Sequence, residues 1–286
     1  MLRYPIAAGS FYPSDRRELL HEIESCFLHS LGPRALPAKN NCQSMDPRVV
    51  GFVVPHAGYR YSGPIAAHAY FKLASYGAPL TAVIVGPNHS GLGSPVAIMT
   101  EGSWLTPLGP VEVDKELALK IARSSSYLDI DSRAFEYEHS IEVQLPFLQY
   151  IFEACTPRIV PIAIGLQHLE IVKDLCQSLA SVLIEVRNVV IISTSDWTHY
   201  EPYEVAYRKD RRALEFVEAL DYEGLLRYYE EENLTACGIA PVAIAMCVAK
   251  ELGCKKGKVL AYATSGDITG DRSAVVGYAS VEFVKE

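Results

Sequence analysis

A chain of 286 residues, 49% hydrophobic and 21% charged, is long enough for a substantial core and has the composition of a soluble globular protein, which excludes long disordered stretches. Its formal net charge of -8, with basic residues only in small groups such as Arg208, Lys209, Arg211 and Arg212, gives no global attraction to nucleic acid or to an acidic membrane. The start, LRYPIAAGSFYPSD, lacks the basic residues and apolar core of a secretory signal, and no apolar run reaches membrane-spanning length, so a cytoplasmic location is expected.

Asp15 to Leu31 reads as a helix, with Leu19, Leu20, Ile23, Phe27 and Leu31 on one face. A polar, Pro-containing link over 32–47 follows and is expected at the surface. Val49 to Val54 is a short buried strand, Pro64 to Ser75 a helix and Thr81 to Val85 a second strand. If these strands are parallel, their carboxyl ends, and with them His56 and His89, share one rim of a sheet. GSWLTPLGPVEVD has the turns of a hairpin, and Lys115 to Ser124 is helical. A further helix is expected over Ser140 to Phe152, with Pro146 marking a kink or an early boundary. Arg158 to Ile164 is a strand, Leu169 to Glu185 a helix and Val189 to Ser193 a strand. Polar helices around Pro202 to Leu220 and Tyr222 to Glu232 precede an apolar one over Cys237 to Leu252. VLAYATSGD and AVVGYASVEFV supply two final strands, an antiparallel pair or a mixed-sheet edge. With no linker rich in Gly, Ser or Pro, the expectation is one α/β domain over residues 1–286, a mixed, largely parallel sheet with helices on both faces.

Open α/β sheets collect ligands at the carboxyl ends of their strands. Four such ends carry polar residues here: PHAG at 55–58, GPNH at 86–89, TSDWTH at 194–199 and TSGD at 264–267. Two imidazoles and a thiolate, from His56, His89 and Cys237, suit iron, copper or zinc and leave a coordination position open. Placed in the first turn of the apolar helix, Cys237 is expected to gain thiolate character from the helix dipole. The same residues also suit two turn histidines and a small buried thiol, and no short motif such as HExxH decides between these readings. Asp196 either caps the segment after its strand or orients a ligand or bound water, and His199 either supports that loop or moves a proton. Helical spacing puts Glu142 beside His139, where it can fix the imidazole tautomer. The remaining cysteines, Cys26, Cys42, Cys155, Cys176, Cys247 and Cys254, are odd in number together with Cys237, are scattered, and are expected as free thiols, with Cys247 and Cys254 packing in the core. Asp267 and Asp271 read as cap or turn residues. P-loop and dinucleotide fingerprints are absent, as is the G-x-S-x-G elbow.

Taken in order, GSFYP, PHAGYRYSG, GPNHSG, EYEHSIEVQLPFL, TSDWTHY, CGIAPV and the late TSGD resemble the Memo family, named for a mediator of cell motility. The resemblance spans nearly the whole chain and implies the fold of the LigB-like class III extradiol dioxygenases. It implies His56, His89 and Cys237 as the metal ligands, Asp196 and His199 as pocket residues, and His139 as a further motif position. It favours an iron- or copper-dependent redox protein or oxygenase-like enzyme acting on a small substrate, with Fe(II) first and Cu or Zn as alternatives. Cys237 stands where related ring-cleaving enzymes have a carboxylate, so ring cleavage itself is not implied. The other readings are a regulatory module that binds a metal, a phosphopeptide or a partner protein, and a nucleophilic Cys237. An AMMECR1-like or radical-SAM protein is a further expected partner from the resemblance.

Overall fold

The computed structural model describes residues 1–39 and 42–286. Its first half contains β1 (Leu2–Arg3), α1 (Arg16–Leu28), β2 (Val49–Val54), α2 (Tyr59–Tyr76), β3 (Thr81–Pro87), β4 (Val96–Ile98), β5 (Ser103–Thr106), β6 (Gly109–Glu112), α3 (Lys115–Ser124) and β7 (Asp129–Ile130). Two short 3-10 turns, Ser132–Phe135 and Glu142–Gln144, lead into α4 (Leu145–Ile151). The second half contains β8 (Arg158–Ile164), α5 (Leu169–Leu183), β9 (Val189–Thr194), β10 (His199–Glu201), α6 (Tyr203–Glu218), α7 (Tyr222–Glu231), α8 (Ile239–Glu251), β11 (Lys258–Thr264), α9 (Ser265–Thr269) and β12 (Val275–Val284).

These elements follow the sequence pattern closely, and the departures have local causes. Asp15 caps α1 by accepting from the backbone N–H groups of Arg17 and Glu18. Helix α2 starts earlier than expected and contains Pro64; the bond that Pro64 cannot make would go to Arg60, an exposed residue of the first turn. Pro146 stands at the start of α4, so the expected long helix divides at that point into a 3-10 turn and an α-helix. The link over 32–47 is irregular over its described residues, and Asn40 and Asn41 lie outside them.

Among the described residues, one sheet runs β10-β12-β2-β9-β3-β8-β4-β7, with β11 also on β12, and a smaller sheet runs β1-β5-β6. Strands β2, β9, β3 and β8 are mutually parallel, β12 is antiparallel to β2, and β11 is antiparallel to β12. The sheet is therefore mixed with a parallel centre, as expected. Strands β2 and β3 are not neighbours, because β9 lies between them, yet all three point the same way and end on one rim.

Alternate residues of the central strands bury on opposite faces. Val53, Val83, Val85 and Ile191 pack in one core with Leu175 and Leu179 of α5 and Val242 and Met246 of α8. Phe52, Val54, Ala82 and Ile84 pack in the other with Ile23 and Phe27 of α1, Tyr70 and Leu73 of α2, and Phe147 of α4. No helix among the described residues is long and apolar enough to cross a membrane.

The cysteines depart from expectation. Cys176 of α5 is disulfide-bonded to Cys247 of α8, and Cys42 to Cys155, leaving Cys26, Cys237 and Cys254 free. The partners stand 71 and 113 residues apart, and for the first pair it is the packing of α5 against α8 that brings them together. Closing loops of this size restricts the unfolded chain, an effect of about 2–4 kcal/mol per bridge. The double variant Cys176→Ser/Cys247→Ser is accordingly expected to lose about 2–4 kcal/mol in denaturant titration. Unchanged stability there, or two free thiols at these positions by mass measurement after alkylation, would contradict the bridge.

Candidate functional site

Three adjacent parallel strands deliver the site. Strand β2 is followed directly by Pro55 and His56, β9 by Ser195 and Asp196, and β3 by Asn88 and His89, so the spatial order β2-β9-β3 sets Asp196 between the two histidines. The segment from Phe135 to Gln144 crosses this rim and adds His139. It can approach β3 closely because residue 86 is Gly: a Cβ there would lie 2.5 Å from Ser140 Oγ and 3.0 Å from Thr194 Cγ2. Cys237 arrives from the far side, immediately before Gly238, which caps α8.

The imidazoles of His56, His89 and His139 converge. Their rings lie 5.1 Å (56 to 89), 5.6 Å (56 to 139) and 4.7 Å (89 to 139) apart, and one nitrogen from each falls within 4.8 Å of the others. Cys237 Sγ lies 3.1 Å from His56 Nε2. The outer groups hold these rings. His56 Nδ1 pairs with Thr194 Oγ1 at 2.8 Å, and Thr194 in turn is 3.3 Å from Gln144 Nε2. His139 stacks against His89 and meets Phe11 at a tilt, the ring centroids 4.3 Å apart. The backbone N–H of Tyr59 donates to the carbonyl of Phe11, fixing the N-terminal segment over the site.

Burial favours the neutral, ligand-competent form of two of these imidazoles, His56 and His139. Burial, and then the neighbouring His89, hold the His56 pKa well below the ordinary histidine value. Burial, and then His56, bring His139 down to about 4. Asp196 accepts from the His56 backbone N–H at 2.9 Å, and burial raises its pKa. His199 lies at the edge of the group and is partly exposed, as His89 is more fully. Its Nδ1 stands 2.8 Å from the carbonyl of Thr235, which can only accept, so Nδ1 carries the proton and Nε2 a lone pair.

Two expectations need correction. Cys237 is not in the first turn of α8 and its thiol is not acidified: burial, and then the charge of Asp196, push its pKa well above the ordinary value. The free N–H groups of α8 serve other acceptors, Gly238 N donating to Ser195 Oγ and Ala240 N to Gln167 Oε1. This protonated, enclosed thiol is poorly suited to act as a free nucleophile. Glu142 does not orient His139. Its carboxylate is fully buried and accepts from Arg3, Tyr12 and the backbone N–H groups of Ile6 and Ala7. The carboxylate that meets a site imidazole is Glu138, beside His89. The remaining acids behave as expected: Asp267 completes the cap of α9, and Asp271 accepts from Ser273.

Sequence reasoning named His56, His89, His139, Asp196, His199 and Cys237, and all of them lie on this rim. It missed Thr194, Gln144 and Phe11 as supports; the GSFYP segment carrying Phe11 was the available signal.

The chain matches the Memo-like protein family over residues 3–282. It is 47% identical to a MEMO1 family protein of Methanopyrus kandleri over 284 residues and 48% identical to one of Sulfolobus acidocaldarius over 284 residues, each alignment covering 99% of both chains. A crystal structure of an uncharacterized protein from Escherichia coli K12 superposes with a TM-score of 0.59 at 12% identity, covering 82% of this chain and 100% of that one, which shows a shared fold. The matched residues contain every motif that forms the histidine-lined rim, and the chain belongs to the Memo-like family.

Proposed function

We propose that the chain is a mononuclear iron or copper protein with redox or oxygenase-like chemistry toward a small substrate. The observation that carries this reading is the convergence of His56, His89 and His139, with Cys237 Sγ against His56 Nε2. Imidazoles and a thiol suit iron, copper or zinc and not Mg²⁺ or Ca²⁺. The donors fit such an ion: nitrogens within 4.8 Å of one another need only modest side-chain rotation to share a centre with bonds of about 2.0–2.1 Å.

Two donor sets overlap: the three imidazoles, which converge in the structure, and His56, His89 and Cys237, the set that the family resemblance implies. His56 and His89 belong to both. Bound iron or copper supplies electron-transfer chemistry that no side chain of this rim provides alone. The protein's share is to hold and shield. Phe11 covers His139, Asp196 holds the His56 backbone and can retain a proton because of its burial, and His199, with Nδ1 turned to the Thr235 carbonyl, presents Nε2 as a proton acceptor.

Protein purified without oxygen from its native host tests the reading by metal analysis and absorption spectroscopy. Near-stoichiometric iron or copper whose spectrum changes on admission of oxygen is expected. Protein that emerges metal-free, or with zinc that is inert to oxidant, contradicts a redox role.

A further inference from the structure

A metal-binding imidazole works only when its proton sits on the nitrogen facing away from the metal, and something must hold it there. For His89 the structure shows what does. Glu138 Oε2 accepts from the His89 backbone N–H at 2.5 Å, and Glu138 Oε1 lies 3.1 Å from His89 Nδ1. One carboxylate thus grips both the main chain and the ring of the same residue. An ionised carboxylate can only accept, so Nδ1 is the protonated nitrogen and Nε2 keeps its lone pair.

The carboxylate is itself immobilised. Glu138 is fully buried, and Oε1 also accepts from the backbone N–H of Ser140 at 2.7 Å. Its backbone carbonyl accepts from Arg3 Nη2 at 2.7 Å, so the N-terminal segment anchors the loop that carries it. The same Oε1 stands 3.8 Å from His139 Nδ1, beyond hydrogen-bond reach but close enough for its charge to act on that ring. The hydrogen bonds of the Glu138 carboxylate go to His89 and Ser140, so its action on the group runs through His89.

We infer that Glu138 is the positioning residue of this centre, fixing His89 as the Nδ1–H tautomer with Nε2 directed to the donor group. The inference rests on the metal reading for its purpose, and on the hydrogen-bond geometry for its content. A bystander that merely ties the loop through Ser140 would not control where the His89 proton sits.

The test compares wild type with Glu138→Gln, which keeps the shape and removes the charge. The tautomer of His89 is read from its ring nitrogen chemical shifts in ¹⁵N-histidine-labelled, metal-free protein, well above the ordinary histidine pKa. Zn(II) affinity is then measured by competition with a chromophoric chelator. Wild type is expected to show a proton on Nδ1, and Glu138→Gln a mixture of tautomers with Zn(II) bound roughly 10–100-fold more weakly. Unchanged His89 nitrogen shifts in the variant overturn the inference, whatever happens to affinity. If the variant does not fold, the wild-type spectrum decides alone, because a proton on Nε2 of His89 overturns it equally. A tautomer shift in a protein that binds no Zn(II), iron or copper supports the positioning role and removes the metal reading instead.

Discussion

His56→Ala and His89→Ala are each expected to reduce bound metal from near stoichiometric to background, whereas His139→Ala and Cys237→Ser retain a weakened centre. The asymmetry follows from the overlap of the three converging imidazoles with the His56, His89 and Cys237 set of the resemblance. Removing Cys237 leaves three imidazoles, and removing His139 leaves two imidazoles and the thiol. Removing His56 takes away a donor common to both sets and the ring that Cys237 Sγ touches at 3.1 Å. Cys237→Ser should also abolish any thiolate-to-metal absorption band, since a serine oxygen is a harder and weaker donor. Metal content and spectra of the four variants, prepared identically, check the pattern. Wild-type metal content in His56→Ala would place the ion elsewhere.

Glu142→Ala is expected to destabilise the fold by about 3–5 kcal/mol, the usual effect of stranding one partner of a buried ion pair. Arg3 and Glu142 meet at 2.6 Å with side chains 7% and 0% exposed. Arg3 also donates to the carbonyls of Phe135 and Glu138 and stacks over the Trp104 ring at 4.0 Å. Without Glu142 the guanidinium stays buried and loses the carboxylate it pairs with, while Tyr12 and the N–H groups of Ile6 and Ala7 lose their acceptor. Replacing both ends, as Arg3→Met/Glu142→Gln, should recover part of the loss, because no unpaired charge then remains inside. Urea titration of the two variants reads this directly. A loss below about 1 kcal/mol for Glu142→Ala would show that the pair is not desolvated as the structure has it. Because the pair anchors the segment carrying Glu138 and His139, Glu142→Ala should also weaken metal binding.

The local elements were legible because period and punctuation encode them. The bounds expected for the helix Lys115–Ser124 and the strand Arg158–Ile164 coincide with those in the structure. Polar strand ends pointed to the rim, since loops after parallel strands are where such sheets present side chains. The assignment of a tautomer partner went wrong for a specific reason. Helical spacing paired His139 with Glu142, but the chain at His139 lies outside any helix and enters a 3-10 turn only at Glu142, so the two side chains diverge.

The sequence by itself determined which residues are strand ends, which faces are apolar, and which side chains have the chemistry of metal ligands. Tertiary structure alone decided that β9 inserts between β2 and β3, bringing Asp196 between His56 and His89. It decided that Arg3 pairs with Glu142 and that Cys176 pairs with Cys247, across 139 and 71 residues. It also decided that burial, and not the dipole of α8, governs Cys237. Periodicity reports only neighbours a few residues apart, whereas long-range pairing and desolvation depend on how whole elements pack.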